Sequence, residues 1–393
     1  MSAHRALSTA LLTALSLTAL SAVPTTATAA TDPWVRPWGA NAAGQLGNGT
    51  TIDQPTPGSI LNVARTDLRK LSGGGQVSNG FVIALLTDGT VKSWGSNDVG
   101  QLGNGTTTAQ PVPTSVAGLS GVSAVDAGSN HALAVRKGRV HAWGSNAKGQ
   151  LGSGTTDEKI PATTPVQVQS LDEVKDVGAG CEFSTALRND GTVWTWGQGA
   201  NGRLGSGDTA DLNTPQQVEG LTDIDAISVG CAHVLALTVD GTVKAWGAGS
   251  NGQLGNNAKN DSGKPVDVRL LDKVTSVSAA AYHSFAILED GTVKGWGWNE
   301  QGQLGDGTTT DRTTPVPIDS LKGTRSITGG REHTMAAQPD GSVLTLGNND
   351  MFQLGNGTKT PTSTNHKPVT ALPSGSGITR VASTLNGKSS FAY

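Results

Sequence analysis

A short phrase, Trp-Gly followed by Asn and Gly and closed by Gln-Leu-Gly or a near copy of it, returns seven times along the chain. Its closing glycines are Gly47, Gly103, Gly152, Gly205, Gly255, Gly305 and Gly355, at spacings of 56, 49, 53, 50, 50 and 50 residues. A period of that length implies one structural unit stacked on copies of itself. Within each unit the apolar residues alternate or form short runs rich in Val and Thr, and helical periodicity is missing, so the units are read as blades of a β-propeller.

The third copy illustrates the expected strands: 165–169, 174–177, 184–187 and 193–196. Tight turns separate them, the most uniform being Asp88-Gly89, Lys137-Gly138, Asp190-Gly191, Asp240-Gly241, Asp290-Gly291 and Asp340-Gly341. Asp-Gly between β-patterned segments signals a hairpin whose two central residues both take positive φ. The repeats are expected to end near Gly95, Gly144, Gly197, Gly247, Gly297 and Gly347. The segment 32–39 matches only a fourth strand, whereas the chain's last residues match a third strand. Residues 356–393 completed by 32–39 would then make the last of seven four-stranded antiparallel blades, closing an all-β ring by pairing the N- and C-terminal strands and removing two free edges.

Residues 1–29 stand apart. Arg5 precedes an apolar run, and Ala27-Thr28-Ala29 supplies small residues of the kind found at cleavage sites, the pattern of a secretory signal peptide. Residues 30–393 are expected to be one domain, with no membrane span once the leader is removed, secreted or associated with the cell envelope. Glycine, at 54 of 393 residues, suits a turn-dense all-β chain. A net charge of −3 with scattered Lys and Arg gives no footprint for nucleic acid. Cys181 and Cys231 occupy equivalent places in successive repeats. An oxidising compartment would allow a disulfide between them; two buried free thiols are the alternative.

The string Trp143-Gly144-Ser145-Asn146-Ala147-Lys148-Gly149-Gln150-Leu151-Gly152, preceded by Ala127-Gly128-Ser129-Asn130-His131-Ala132-Leu133-Ala134, resembles the repeat of the regulator of chromosome condensation family. The resemblance extends over essentially everything after the leader and implies a seven-bladed propeller of a secreted bacterial type. On function it points two ways. The family's eukaryotic founder is a nuclear exchange factor for a small GTPase, and secreted bacterial members include an inhibitor of β-lactamases. The leader, the missing basic tail and the missing long insertion depart from the first; the longer repeats and the Gly-Thr-Thr loops depart from the second.

No hydrolase elbow, zinc-protease helix or calcium loop is present. Gly387-Lys388-Ser389 approaches a phosphate loop, but Ala382 stands where its first glycine belongs. His131, His233, His283 and His333 share one register, which reads as a turn-fixing element of the blade and not as a metal site. The Trp of each Trp-Gly pair reads as packing between sheets, with Leu346 taking its place once. The chain is therefore expected to be a monomer without cofactor, metal or catalytic residues.

Antiparallel pairing puts the Asp-Gly turns on one face, called the lower face here, and the remaining loops on the upper. The lower turns repeat closely while the upper loops diverge, and divergent loops are free to serve a ligand. Tyr282, Trp298, Glu300, Arg331, Glu332, Asp350, Met351 and Phe352, placed in repeats five to seven, form an aromatic, Met and Arg set of the kind enriched where proteins bind each other. The expectation is a non-enzymatic scaffold engaging a protein through these loops. The alternatives are a binder of carbohydrate or wall polymer and, by family name alone, a guanine-nucleotide exchange factor.

Overall fold

The computed structural model describes residues 34–77, 79–368, 372 and 374–393, so the expected leader and Asp32 lie outside the described residues. Five four-stranded antiparallel sheets and one seven-stranded sheet make up the fold. The seven-stranded sheet divides where Leu68–Val77 runs parallel to Val381–Gly387, the single parallel junction among otherwise antiparallel ladders. On one side lies blade one, Leu68–Val77, Asn79–Leu86, Val91–Gly95 and Gln110–Ser115; on the other lies blade seven, Val381–Gly387, Ser389–Ala392 and Arg36–Gly39. Blades two to six begin with the inner strands Val122–Ala127, Val174–Ala179, Ile224–Val229, Val274–Ala279 and Ser326–Gly329.

Strand composition follows from place in the blade. The second strands, such as Phe183–Arg188 and His283–Leu288, are buried along nearly their whole length because neighbouring blades cover both faces. The outermost strands are more polar and carry prolines, Pro111, Pro161, Pro215, Pro265 and Pro315 among them. Proline lacks the N–H that a central strand would need, so a sheet edge is where it fits. The core lies between blades: Leu133, Val140 and Leu151 of blade two pack with Val177, Ala186 and Trp196 of blade three.

Blade boundaries differ from the sequence reading by one strand. The segment after each Gln-Leu-Gly loop pairs back onto its own Trp-Gly strand, Trp194 opposite Gln217 and Gly197 opposite Leu212. Residues 165–167, expected to open the third blade, therefore end the outer strand of the second, and Thr362–Pro368 ends the sixth. Blade seven is consequently built two and two. Arg36–Gly39 pairs with Ser389–Ala392, Arg36 opposite Ala392 and Gly39 opposite Ser389. Residues 54–64 then lie outside it through the bridges Gly39 to Gln54 and Trp34 to Ala64. Spacing could not reveal this, since an outer strand is equally near in sequence to the blade it leaves and the blade it precedes.

The lower turns also differ in detail. Only Lys137-Gly138 has positive φ at both residues, 52° and 72°. Elsewhere a carbonyl accepts from the Gly N–H three residues on, as Leu288 does from Gly291, and only the glycine is left-handed, at 79° for Gly291. This is a type I turn followed by a bulge, and the Asp serves as acceptor: Thr292 N donates to Asp290 Oδ1 at 2.8 Å.

Candidate functional site: the upper face over blades five and six

Each blade is fastened to the next by the residues of the repeated phrase. The indole N–H of Trp38, Trp94, Trp143, Trp196 and Trp296 donates to the backbone carbonyl of Gln353, Gln45, Gln101, Gln150 and Gln253 in the preceding blade, at 2.8–2.9 Å. Trp246 does the same to Arg203, which replaces the glutamine in its copy. All six indoles are fully buried, so packing and hydrogen bond act together. A second tie joins the same point. The hydroxyls of Ser184, Ser284 and Ser390 donate to the carbonyls of Gln150, Gln253 and Gln353 at 2.7, 3.0 and 2.8 Å. With its proton given to the carbonyl, each hydroxyl accepts from the Nε2 of His131, His233 or His333 at 2.9–3.0 Å.

His283 makes the equivalent contact with Thr334 at 2.8 Å. In His131, His233 and His333 Nε2 therefore carries the proton, and in all four histidines Nδ1 is buried without a partner. Burial accordingly depresses their pKa values to about 3. Neutral, spent on neighbouring strands and dispersed one to a blade, they are girders.

Between blades five and six these rules lapse. Leu346 stands where the tryptophan would be, so no indole reaches the carbonyl of Gln303. In three other copies the glutamine side chain donates from Nε2 to the residue five positions earlier, Gln101 to Ser96, Gln150 to Ser145 and Gln353 to Asn348, whereas Gln45 and Gln253 have alanine there. For Gln303 that earlier residue is Trp298, and its Nε2 is buried without a partner. An unpaired buried amide costs roughly 1–3 kcal/mol.

Above this seam the structure gathers most of the residues singled out from the sequence. Tyr282 and Trp298 meet edge to face, centroids 5.8 Å apart at 87°. The Arg331 guanidinium sits 5.9 Å from the Tyr282 ring centre and 3.3 Å from Glu332. Lys388 joins Glu332 at 3.3 Å to Asp350 at 2.6 Å. Burial alone would raise the Asp350 carboxyl, but its hydrogen bonds from Lys388 and Gln353 outweigh that and hold it below the ordinary range. Glu300 is exposed beside Trp298, while Met351 and Phe352 are half-buried in the Asp350 loop. With the corrected boundaries, these residues belong to two adjacent blades and not to three.

Phe352 holds a further departure. In the other six copies its place is taken by glycine at positive φ, 72° at Gly302 for example, and Phe352 keeps that conformation at 61°. The turn is unchanged: Phe352 N donates to Asn349 O and Gly355 N to Phe352 O, as Gly302 and Gly305 do one blade earlier. A bulky residue in left-handed backbone costs about 1–2 kcal/mol. Its ring lies beneath the Lys359 ammonium, 4.7 Å from the centroid.

Two participants were missed in the sequence. Lys388 attracted notice only as part of a failed phosphate loop, although it shares the register of Tyr282 and Glu332. Arg203, the one replacement of the repeated glutamine, is buried and stacks 5.9 Å from Phe183. Nearer the axis Cys181 and Cys231 are joined by a disulfide, Cα atoms 4.6 Å apart, and pack with Ala281 against Tyr282. Around them a succession of backbone bonds passes from blade to blade. Gly75 donates to Gly128, Ser129 to Gly180, Cys181 to Cys231, Cys231 to Ala281, Ala281 to Gly330 and Arg331 to Gly387. Gly387 in turn lies opposite Val77 of blade one. The loops carrying the aromatic cluster are therefore anchored on a rigid hub.

Among the described residues no group of three or more His, Cys, Asp or Glu is placed to hold a metal, and no helix is long and apolar enough to cross a membrane.

Residues 136–393 match the family described as the RCC1-like domain, and residues 88–135 match the regulator of chromosome condensation (RCC1) repeat. The chain is similar to the ultraviolet-B receptor UVR8 of Arabidopsis thaliana, 32% identical over 179 residues, which are 44% of this chain and 39% of the receptor. It is likewise similar to the human E3 ubiquitin-protein ligase HERC2, 33% identical over 179 residues, 43% of this chain and 4% of the ligase. Both matches thus cover well under two thirds of the relative. Among solved structures, Prp20p from Saccharomyces cerevisiae superposes with a TM-score of 0.79 at 21% identity, covering 93% of this chain and 92% of that one. Human WBSCR16 gives 0.78 at 22% identity, covering 92% and 98%. At such identities the structural likeness speaks to the fold alone.

Proposed function

Since this chain belongs to the RCC1-like propeller family, we propose that it is a non-catalytic scaffold that binds a protein partner through its upper face, with the contact centred over blades five and six. The observation that carries this reading is the coincidence of three departures from the chain's own rules in one place: the unpaired Gln303 amide, the missing tryptophan at Leu346 and the left-handed Phe352. Each costs stability, and such costs gather where a surface serves something besides folding. Tyr282, Trp298 and Arg331 are the side chains that carry most energy in protein interfaces, and the disulfide and hub bonds hold them in place before any partner arrives. Among family members, Prp20p is known for its binding to Gsp1p and histones, and yeast RCC1 (Prp20) has been crystallised with Kap60.

We place the protein outside the cell, on the strength of the leader-like residues 1–29, and take it to act as a monomer. The test is affinity capture from medium and cell envelope with the mature protein, followed by variants. Trp298→Ala and Tyr282→Ala should each weaken the captured complex by roughly 1–4 kcal/mol, measured by calorimetry, with folding preserved by circular dichroism. Thr292→Ala on the lower face should stay within about 0.5 kcal/mol. Equal affinities for all three variants would remove the assignment. Capture of glycan without protein would favour the carbohydrate reading, and accelerated nucleotide release from a small GTPase would favour the exchange-factor reading.

A further inference from the structure

The lower face carries an arginine cluster where blades one and seven meet. Parallel alignment of the first strands of blades one and seven brings together residues from the two ends of the sequence. Arg65 comes from the short turn Arg65–Asp67, Arg69 from the start of the first inner strand, and Arg380 from the approach to the last. Arg380 Nη1 donates to the Arg69 carbonyl at 2.7 Å, and Arg65 Nη1 to the Ser376 carbonyl at 3.0 Å. These bonds go to uncharged acceptors. The neighbouring lysines are matched, Lys70 with Asp126 at 3.9 Å and Lys175 with Asp225 at 3.6 Å. Among the described residues none of the three arginines forms an ion pair with a carboxylate. Asp67, the acid nearest in sequence, accepts from Thr66.

The three guanidinium-bearing residues line a cleft of about 460 Å³ together with Thr66, Thr379 and Tyr393. Arg69 and Arg380 also wall an adjoining cleft of about 400 Å³, where Lys70 and Lys175 are accompanied by Asp176 and Asp225. Three arginines without a carboxylate partner around one cleft leave positive charge that a bound anion would offset, in a chain whose net charge is otherwise −3. Guanidinium forks match the oxygens of phosphate and sulfate, and the Thr379 hydroxyl offers a further donor. We propose that this cleft is a binding site for an oxyanion, a phosphate or sulfate group, and that Arg65, Arg69 and Arg380 are its ligands. None of the upper-face residues lines this cleft.

The probes are sodium phosphate and sodium sulfate, each compared with sodium chloride at equal ionic strength to remove general salt effects. The full protein should show a saturable rise in melting temperature with one or both oxyanions beyond that in chloride. The rise should vanish in Arg69→Gln/Arg380→Gln and shrink in Arg65→Gln, which leaves the Arg380 to Arg69 contact intact and guards against loss of fold in the double variant. Heparin and linear polyphosphate at equal charge then separate the sources, with the preferred polymer bound at least tenfold more weakly by the double variant. A response no greater than in chloride, or one shared equally by parent and both variants, would overturn the proposal.

Discussion

The seam between blades four and five and the seam between blades five and six are built on the same pattern and finished differently. The first has Trp296 and Ser284 both donating to the Gln253 carbonyl, with His233 behind the serine. The second retains its histidine contact, His283 to Thr334, but has Leu346 for the indole and an unpaired Gln303 amide. The seam that looks weakest in hydrogen bonding lies directly beneath Tyr282, Trp298 and Arg331. A repeat protein supplies its own control: six copies state what the fold requires, and the seventh shows what has been given up.

The largest effect tests what the two seams share. The four buried histidines have folded pKa values of about 3 against an ordinary 6.5. The unfolded chain therefore takes up protons that the folded one refuses. Their contribution to stability is complete well above pH 6.5 and declines as the pH falls toward 3, by up to about 1.4 kcal/mol per pH unit for each histidine and roughly 5.5 for the four together. Denaturant melts at pH 8, 7, 6 and 5 should show that slope, and His233→Gln or His283→Gln should each reduce it by about a quarter. Equal stability at pH 7 and 5 would mean that the imidazoles are not held neutral.

Next in size is Trp296→Leu, which converts the regular seam into a copy of the other. Loss of a buried indole and its hydrogen bond should cost roughly 3 kcal/mol, read from chemical denaturation. A cost under 1 kcal/mol would show that the two seams never differed in strength. The smallest effect sharpens the comparison most. Phe352→Gly restores the residue used by the other six copies and should stabilise the fold by up to about 1 kcal/mol, because relief of left-handed strain exceeds the added chain entropy. The same change should weaken partner binding. A variant both less stable and unimpaired in binding would assign Phe352 to packing alone.

Much of the fold was legible because a propeller writes its rules once per blade. The period, the Asp-Gly turns and the complementary ends all sit in short local strings, so blade number and the meeting of the two termini could be read directly. The blade boundary could not, since pairing of residues such as Gly197 and Leu212 is chosen by which strand already has a free edge. Of the site, Tyr282, Trp298 and Phe352 were conspicuous as exceptions to local pattern. Their meaning was not, for it depends on what lies below and beside them: that Gln303 loses its acceptor to Trp298, or that Lys388 bridges Glu332 and Asp350.

By itself the sequence determined what depends on neighbours along the chain: strand and turn, the register that places His131, His233, His283 and His333 alike, and the equivalence of Cys181 and Cys231. The tertiary structure alone decided what depends on distance in space. It joined Arg36–Gly39 to Ser389–Ala392, and it brought Arg65 and Arg69 beside Arg380 although more than three hundred residues separate them in sequence. The physical reason is that hydrogen-bonding pattern and side-chain alternation act over a few residues, whereas electrostatic and aromatic clusters form only after ring packing has set which strands become neighbours.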